Sequence, residues 1–396
     1  MKQILIRITT VPISLDKLLE GQLSFMKEHY DVLAVSSGQE HLDKVGEKEG
    51  VATYCIEMSR KITPLKDLKA VWEHYRLFRK HRPFIVHTHT PKAGIVGMLA
   101  AWLAGVPNRL HTVAGLPLLE ARGMKRTLLN VVEKATYACA TQVYPNSKGL
   151  KQIILDAGLC GENKLKVIGN GSSNGINTTY FDPTQFPEEQ RSTVREELGI
   201  REEDFVFLFI GRLVSDKGIN ELVKAFERLN REYKNSKLVL VGPLEPDLDP
   251  LAEDTLHRIK ENGDILSVGY QKDVRPYLLI ADLLVFPSYR EGFPNVVMQA
   301  GAMGVPAIVT DINGCNEIII DEKNGMIIPV KDTDAIYQKM KMFIADPVLV
   351  KQQSAMARDL ILSRYEQKRV WNALLEEYKS LEKTVQHVQA SWEAGN

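Results

Sequence analysis

Cysteine is scarce: Cys55, Cys139, Cys160 and Cys315 are the only four in 396 residues, and no two are spaced as CxxC. That excludes a zinc ribbon and a thioredoxin-type pair, and a chain this long needs no disulfide staples. Long apolar runs are missing too. The least polar stretch, Ala93–Val106, has 14 residues, against roughly 20 for a bilayer span. The apolar part of MKQILIRITT is shorter than the core of an export signal. A cytoplasmic protein without a membrane span is expected. The first strand-like run, Ile4–Ile8, is not followed by GxGxxG, so a nicotinamide-dependent dehydrogenase lacks its phosphate loop. Net charge is zero, 50 Lys+Arg against 50 Asp+Glu, which argues against a nucleic-acid partner.

That neutrality is a cancellation. Residues 1–170 hold 24 basic and 15 acidic side chains, a net of +9, and the remainder holds 26 and 35, a net of −9. Much of the basic excess lies in Arg60–Arg82, which contains Arg60, Lys61, Lys66, Lys69, Arg76, Arg79, Lys80 and Arg82 against Asp67 and Glu73. Leu65, Leu68, Trp72, Tyr75 and Phe78 fall on one stripe of a helix here and are expected to cover a sheet. The cations suit an anionic membrane surface.

Short apolar runs alternate with amphipathic segments. Ile4–Ile8, Asp31–Val35, Phe84–His87, Arg109–Val113 and Gln142–Pro145 read as strands, and Leu65–Lys80 and Leu128–Cys139 as helices. The pattern restarts with Phe205–Ile210, Lys237–Val241, Asp264–Ser267, Leu283–Pro287 and Pro306–Thr310. Such alternation implies an α/β fold of doubly wound parallel sheets. Between them lies GNGSSNGINTTYFDPTQFP, rich in turn formers. We read two Rossmann-like domains, 1–172 and 201–365, with a linker at 173–200. Ligands of such sheets bind at the carboxyl ends of the strands, so two facing sheets place a site in the cleft between them.

Two segments carry chemistry. In the first, the buried run Phe205–Ile210 ends at Gly211, followed by Arg212, Lys217 and a helix over Asn220–Arg231. Two cations at a strand end beside a helix start suit a diphosphate, since charge-assisted bonds are worth about 1.5–3 kcal/mol each. In the second, Tyr289-Arg-Glu291-Gly292-Phe293-Pro-Asn295 leads into a helix that carries Gln299. Carboxylates and amides bind vicinal hydroxyls well, although Glu291 taken alone would equally serve as a helix-dipole partner.

Together, GRLxxxKG at 211–218, EGFPN at 291–295, GxPxI(V) at Gly304–Val309 and Asn316-Glu317 resemble the retaining family-4 glycosyltransferases of the GT-B fold, over nearly the whole chain. The resemblance implies two Rossmann-like domains facing across a cleft, with a helix near 366–386 packing back on the first. It implies a nucleotide-sugar donor, a UDP-sugar as the best match, on the second domain. Gly211, Arg212 and Lys217 would meet the pyrophosphate, and Glu291, Gly292, Phe293 and Asn295 the sugar and phosphate. Tyr270 would lie in the base-binding segment Gly269–Val274. Gln299 stands where relatives have a second Glu on the ribose diol. On the acceptor side the resemblance points to Gly21, His89, Lys92 and His111, while Ala114 stands where many relatives place a histidine. Pro145–Lys148 and Asn174–Asn177 match strand-end and interdomain segments. The implied acceptor is a polyprenyl-diphosphate-linked sugar or glycan in capsule or O-antigen assembly, with peripheral attachment to the cytoplasmic membrane. No metal or other cofactor is expected: Asp247-Leu248-Asp249 spells DxD, but Arg212 and Lys217 already supply cationic charge for a leaving diphosphate. A nucleotide-sugar 2-epimerase and a non-catalytic nucleotide-sugar-binding protein remain as alternatives.

Overall fold

The structure, a computed structural model, describes residues 2–116, 118, 121–247 and 249–394, with side chains through Lys383. The chain divides into two compact units, Met1–Asn174 with Lys368–Asn396, and Gly175–Gln367. Each is built on a six-stranded parallel sheet.

In the first unit the strands are β1 (Ile4–Ile8), β2 (Asp31–Ser36), β3 (Ala52–Cys55), β4 (Ile85–Thr88), β5 (Asn108–Val113) and β6 (Gln142–Pro145), in the order β3-β2-β1-β4-β5-β6. The second unit holds β7 (Phe205–Ile210), β8 (Ser236–Val241), β9 (Ile265–Gly269), β10 (Leu283–Phe286), β11 (Ala307–Thr310) and β12 (Gly325–Ile328), in the order β12-β11-β10-β7-β8-β9. The two orders are the same when each sheet is counted from its own first strand. The order reverses between β1 and β4 and between β7 and β10, and at such a point the loops diverge and leave a crevice for a ligand.

Burial explains these elements. In β7, FVFLFI, Val206 to Phe209 are wholly buried, because helices cover both faces of a parallel sheet. The helix Ile219–Glu232 lays Ile219, Leu222, Val223, Phe226 and Leu229 on that core, the i, i+3, i+4, i+7 pattern of a helix stripe. Each such side chain contributes about 1.5–3 kcal/mol. In the first unit the helix Gln367–Ala394 buries Leu374, Leu375 and Tyr378 against Leu5, Leu23 and Tyr30, and Trp371 packs on Phe25 with ring centroids 5.5 Å apart.

Two expectations need correction. Residues 175–200 are not free linker: they belong to the second unit and form the helix Glu188–Glu197. Arg195 in that helix is buried, and its guanidinium donates to the carbonyls of Arg201 at 2.8 Å and Ile280 at 3.2 Å. The stripe expected to cover the first sheet is split. The helix Pro64–His81 buries Ala70, His74, Leu77 and Phe78, while Leu65, Leu68 and Trp72 face solvent.

Candidate active site

The reversal point between β7 and β10 gathers the two motif loops of the second unit. After β7 the chain passes Gly211 and Arg212, makes a tight turn at Ser215–Lys217, and enters the helix Ile219–Glu232 through Gly218. Gly218 has φ 72°, and a Cβ there would lie 2.2 Å from the Pro287 carbonyl oxygen, so no other residue fits. That contact seats the first loop on the second, which runs from Pro287 to Pro294. The Tyr289 amide donates to Asp216 O at 2.8 Å, and the Tyr289 hydroxyl to Glu221 at 2.7 Å. Arg290 Nη2 pairs with Asp216 at 2.7 Å. Asp249, from the DxD-like segment, accepts the Asp216 amide at 2.6 Å, a structural task, and Leu248 lies outside the described residues.

At the centre, Lys217 Nζ donates to Glu291 Oε1, and Ser288 Oγ donates to the same oxygen at 2.9 Å. The two charged side chains are 14% and 17% exposed, too enclosed for water to screen their attraction fully. Among the described residues Glu291 Oε2 has no protein partner. Asn313 Nδ2 donates to the carbonyls of Glu291 at 2.6 Å and Gly292 at 3.1 Å. With those carbonyls held, the amides of Gly292 and Phe293 have no protein acceptor among the described residues. The helix Asn295–Ala302 follows, with Asn295 exposed and Gln299 half-buried on one face, since residues four apart are helix neighbours. Arg212 lies at the rim, bonded to Glu245 at 2.8 Å and half-exposed. Such a pair is worth little and is readily exchanged for a phosphate. Thus Gly211, Arg212, Lys217, Glu291, Gly292, Phe293, Asn295 and Gln299 lie on the loops and helix starts of one reversal point. Tyr270 is not gathered with them: it follows β9, two strands from β7, and is 73% exposed. Ser288, Asp216 and Asn313 were missed in the sequence, where only Asn313-Gly314 carries a recognisable turn signal.

In the first unit the reversal point is closed by Thr10 and Thr90, whose hydroxyls lie 2.6 Å apart. The four residues assigned to an acceptor are not equivalent here. Gly21 has φ 76°, donates its amide to Glu49 at 2.8 Å, and packs under the Trp371 ring. Lys92 is paired with Asp67 at 2.5 Å. His111 is buried within β5, bonded to Thr88 Oγ1 at 2.7 Å, and burial pushes its pKa down to about 4. All three are committed to protein groups. His89 differs: its Nε2 accepts from Arg7 Nε at 3.0 Å while its Nδ1 is buried without a partner among the described residues. Burial, then the neighbouring His87 and Arg7, hold it well below the usual histidine range, so it is neutral.

Among the described residues no helix is long and apolar enough to cross a membrane. Residues 190–360 match the family described as glycosyl transferases group 1, and residues 26–171 match the glycosyl transferase 4-like domain. The capsular polysaccharide biosynthesis glycosyltransferase CapM of Staphylococcus aureus is 32% identical over 366 residues, covering 92% of this chain and 93% of CapM. The UDP-Gal:alpha-D-GlcNAc-diphosphoundecaprenol alpha-1,3-galactosyltransferase of Escherichia coli is 30% identical over 308 residues, covering 75% and 76%. Among solved structures, Anabaena Alr3699/HepE in complex with UDP superposes with a TM-score of 0.79 at 17% identity, covering 96% of this chain and 100% of that one. Two 3-2-1-4-5-6 sheets, a basic and carboxylate-bearing loop pair at one reversal point, and these likenesses converge: the chain belongs to the group 1, family-4-like glycosyltransferases of the GT-B fold.

Proposed function

We propose that the protein transfers a sugar from a UDP-sugar to a polyprenyl-diphosphate-linked saccharide in surface-polysaccharide assembly, with retention of anomeric configuration. One observation carries the reading: Lys217, Ser288 and Glu291 form an enclosed cluster at the reversal point, beside the uncommitted Gly292 and Phe293 amides. The donor's diphosphate oxygens take Lys217 and Arg212, and those cations stabilise the charge that develops on the leaving group. Glu291 keeps Oε2 for the sugar hydroxyls, and Gln299 meets the ribose diol. Glu291 is already neutralised by Lys217, which suits a holding group better than a covalent nucleophile. In the reaction the bond from the anomeric carbon to the diphosphate oxygen breaks, with its electron pair leaving on the UDP. The acceptor oxygen bonds to the same face, and its proton passes to the departing phosphate.

The names of two relatives support the substrate classes: one makes capsular polysaccharide, and the other moves galactose from UDP-Gal to a diphosphoundecaprenol-linked sugar. The acceptor side falls to the first unit. There Leu65, Leu68, Trp72, Met124, Leu128 and Val131 are exposed among Arg60, Lys61, Lys66, Lys69, Lys125 and Arg126, a combination that suits docking on an anionic membrane. The cations make a metal unnecessary, so transfer is expected to persist in chelator. The test is Glu291→Ala assayed with UDP-sugars: transfer falls to near zero while the thermal unfolding transition stays cooperative. Wild-type turnover by that variant would sink the assignment. Incubation of donor alone separates transfer from epimerisation.

A further inference from the structure

The first unit buries a guanidinium that has no counter-charge among the described residues. Arg7, next to the last residue of β1, is fully buried, and its three partners are neutral: His89 Nε2, Tyr378 OH and Gln22 Oε1. An unpaired buried cation is costly, and here it has a definite consequence. Arginine only donates, so the Arg7 Nε–H bond obliges His89 Nε2 to accept and leaves the imidazole proton on Nδ1.

His89 lines a cavity of about 20 Å3 at the carboxyl ends of β4–β6, together with Val370 and Leu374 of the C-terminal helix. Among the described residues His89 Nδ1 has no partner, and two other lining side chains also have a buried polar atom without one, Asn146 Oδ1 and Ser173 Oγ. His89 is 95% and Asn146 94% buried, so water outside does not satisfy these groups. Three residues that line this one cavity thus each carry such an orphan, whereas more than about 90% of buried polar groups find partners. Ser172 in the wall adopts φ 67°, a strained conformation for a residue other than glycine.

The volume admits one oxygen-sized group. The His89 N–H donates, Asn146 Oδ1 accepts while its Nδ2 points to Ala114 O, and Ser173 does either. An anionic oxygen would be repelled by Asn146 Oδ1 and a cation by the His89 N–H. A hydroxyl, which both donates and accepts, complements all three. We propose that this cavity is a hydroxyl subsite: it takes one sugar hydroxyl of the acceptor, in exchange for a water, with Arg7 as the positioning residue that keeps His89 a donor. This rests on the saccharide-acceptor reading above.

The test compares wild type with Ser173→Ala on a short-chain prenyl-diphosphate-linked N-acetylglucosamine and on analogues with each sugar hydroxyl replaced in turn by hydrogen. Ser173→Ala is expected to raise the acceptor KM about fivefold, the worth of one hydrogen bond, with the donor KM unmoved. One deoxy analogue should show that same loss in wild type and no further loss in Ser173→Ala. Losses that are additive for every analogue leave water as the occupant and overturn the subsite. If wild type does not turn this acceptor over, the functional reading fails, and a second measurement still decides the cavity. In 15N–1H spectra assigned with His89→Gln, the His89 signal is expected on Nδ1, to lose that preference in Arg7→Met, and to shift with millimolar N-acetylglucosamine or galactose in wild type but not in Ser173→Ala. A proton on Nε2, or a signal that no saccharide moves, overturns the proposal.

Discussion

Lys217 donates to Glu291 across the point at which the second sheet reverses its strand order, so the two motif loops share one charge pair. Removing one partner strands the other: Lys217→Met leaves an enclosed carboxylate with only Ser288 on it, and should cost about 1–3 kcal/mol in urea unfolding. Glu291→Gln keeps the shape and the Ser288 bond. The double variant Lys217→Met/Glu291→Gln should recover most of the stability, as paired removals of buried charge do, yet remain inactive in transfer. A double variant as active as wild type would contradict the roles given to both residues.

Gly218 and Gly105 offer a matched pair. Both have φ 72°, but a Cβ at Gly218 would meet the Pro287 carbonyl at 2.2 Å, whereas Gly105 has open space within 4 Å. Gly105→Ala should therefore lose only the strain, about 1–2 kcal/mol. Gly218→Ala should lose more and push the two loops apart. Thermal shift with UDP reads the difference: Gly105→Ala keeps the stabilisation by ligand, and Gly218→Ala loses it.

How far the sequence reveals this fold depends on burial. Ten of the strands are legible as short apolar runs between amphipathic segments. The two that escape are β3 and β12, each at one edge of its sheet; β12, GMII, opens on Gly325 directly after Asn324, so it reads as the end of a turn. In β3 the residues alternate between exposed and half-buried, too weak a pattern to stand out from a loop. The donor loops are legible because glycine, cation and carboxylate recur at fixed spacing. The acceptor side is not. His89 follows β4 and His111 lies within β5, in a sheet buried on both faces, where alternation does not tell which side chain is bonded inward. Only the partners, Thr88 for one and Arg7 for the other, separate them. Likewise the stripe Leu65, Leu68, Trp72 has helical period, but period does not say which side of the helix meets the sheet.

Four buried histidines make the first unit acid-sensitive. Burial pushes His74 and His111 down to about 4 and holds His87 and His89 well below the ordinary value of about 6.5. The unfolded chain takes up protons as pH falls below about 6.5 and the folded chain does not. Stability is therefore fully retained above that pH and lost toward about pH 4, by up to about 1.4 kcal/mol per pH unit for each histidine. His74 offers the cleanest check, since its Nδ1 bonds Ala70 O at 2.7 Å and its Nε2 has no partner among the described residues. His74→Leu should flatten the stability–pH slope between pH 6 and 4.5 by about one proton. An unchanged slope would show that His74 is protonated in the fold.

The membrane surface proposed for the first unit makes a prediction about charge and apolar tips together. The helices Pro64–His81, Pro91–Leu103 and Gly123–Cys139 lie side by side, and the outer two begin beyond the carboxyl ends of β3 and β5. Their first turns carry the most exposed large apolar side chains among the described residues, Leu65 at 84% and Met124 at 90%, each with cations next to it: Lys66 beside the one, Lys125 and Arg126 beside the other. Each cation near an anionic surface contributes about 1 kcal/mol, so Lys125→Glu/Arg126→Glu should weaken sedimentation with phosphatidylglycerol vesicles more than tenfold. Leu65→Ser/Met124→Ser should weaken it at every salt concentration, because apolar insertion is not screened. Neither variant alters Lys217, Ser288 or Glu291, so stabilisation by UDP should be unchanged in both. Binding to neutral phosphatidylcholine vesicles as tight as to anionic ones would remove the electrostatic half of this reading.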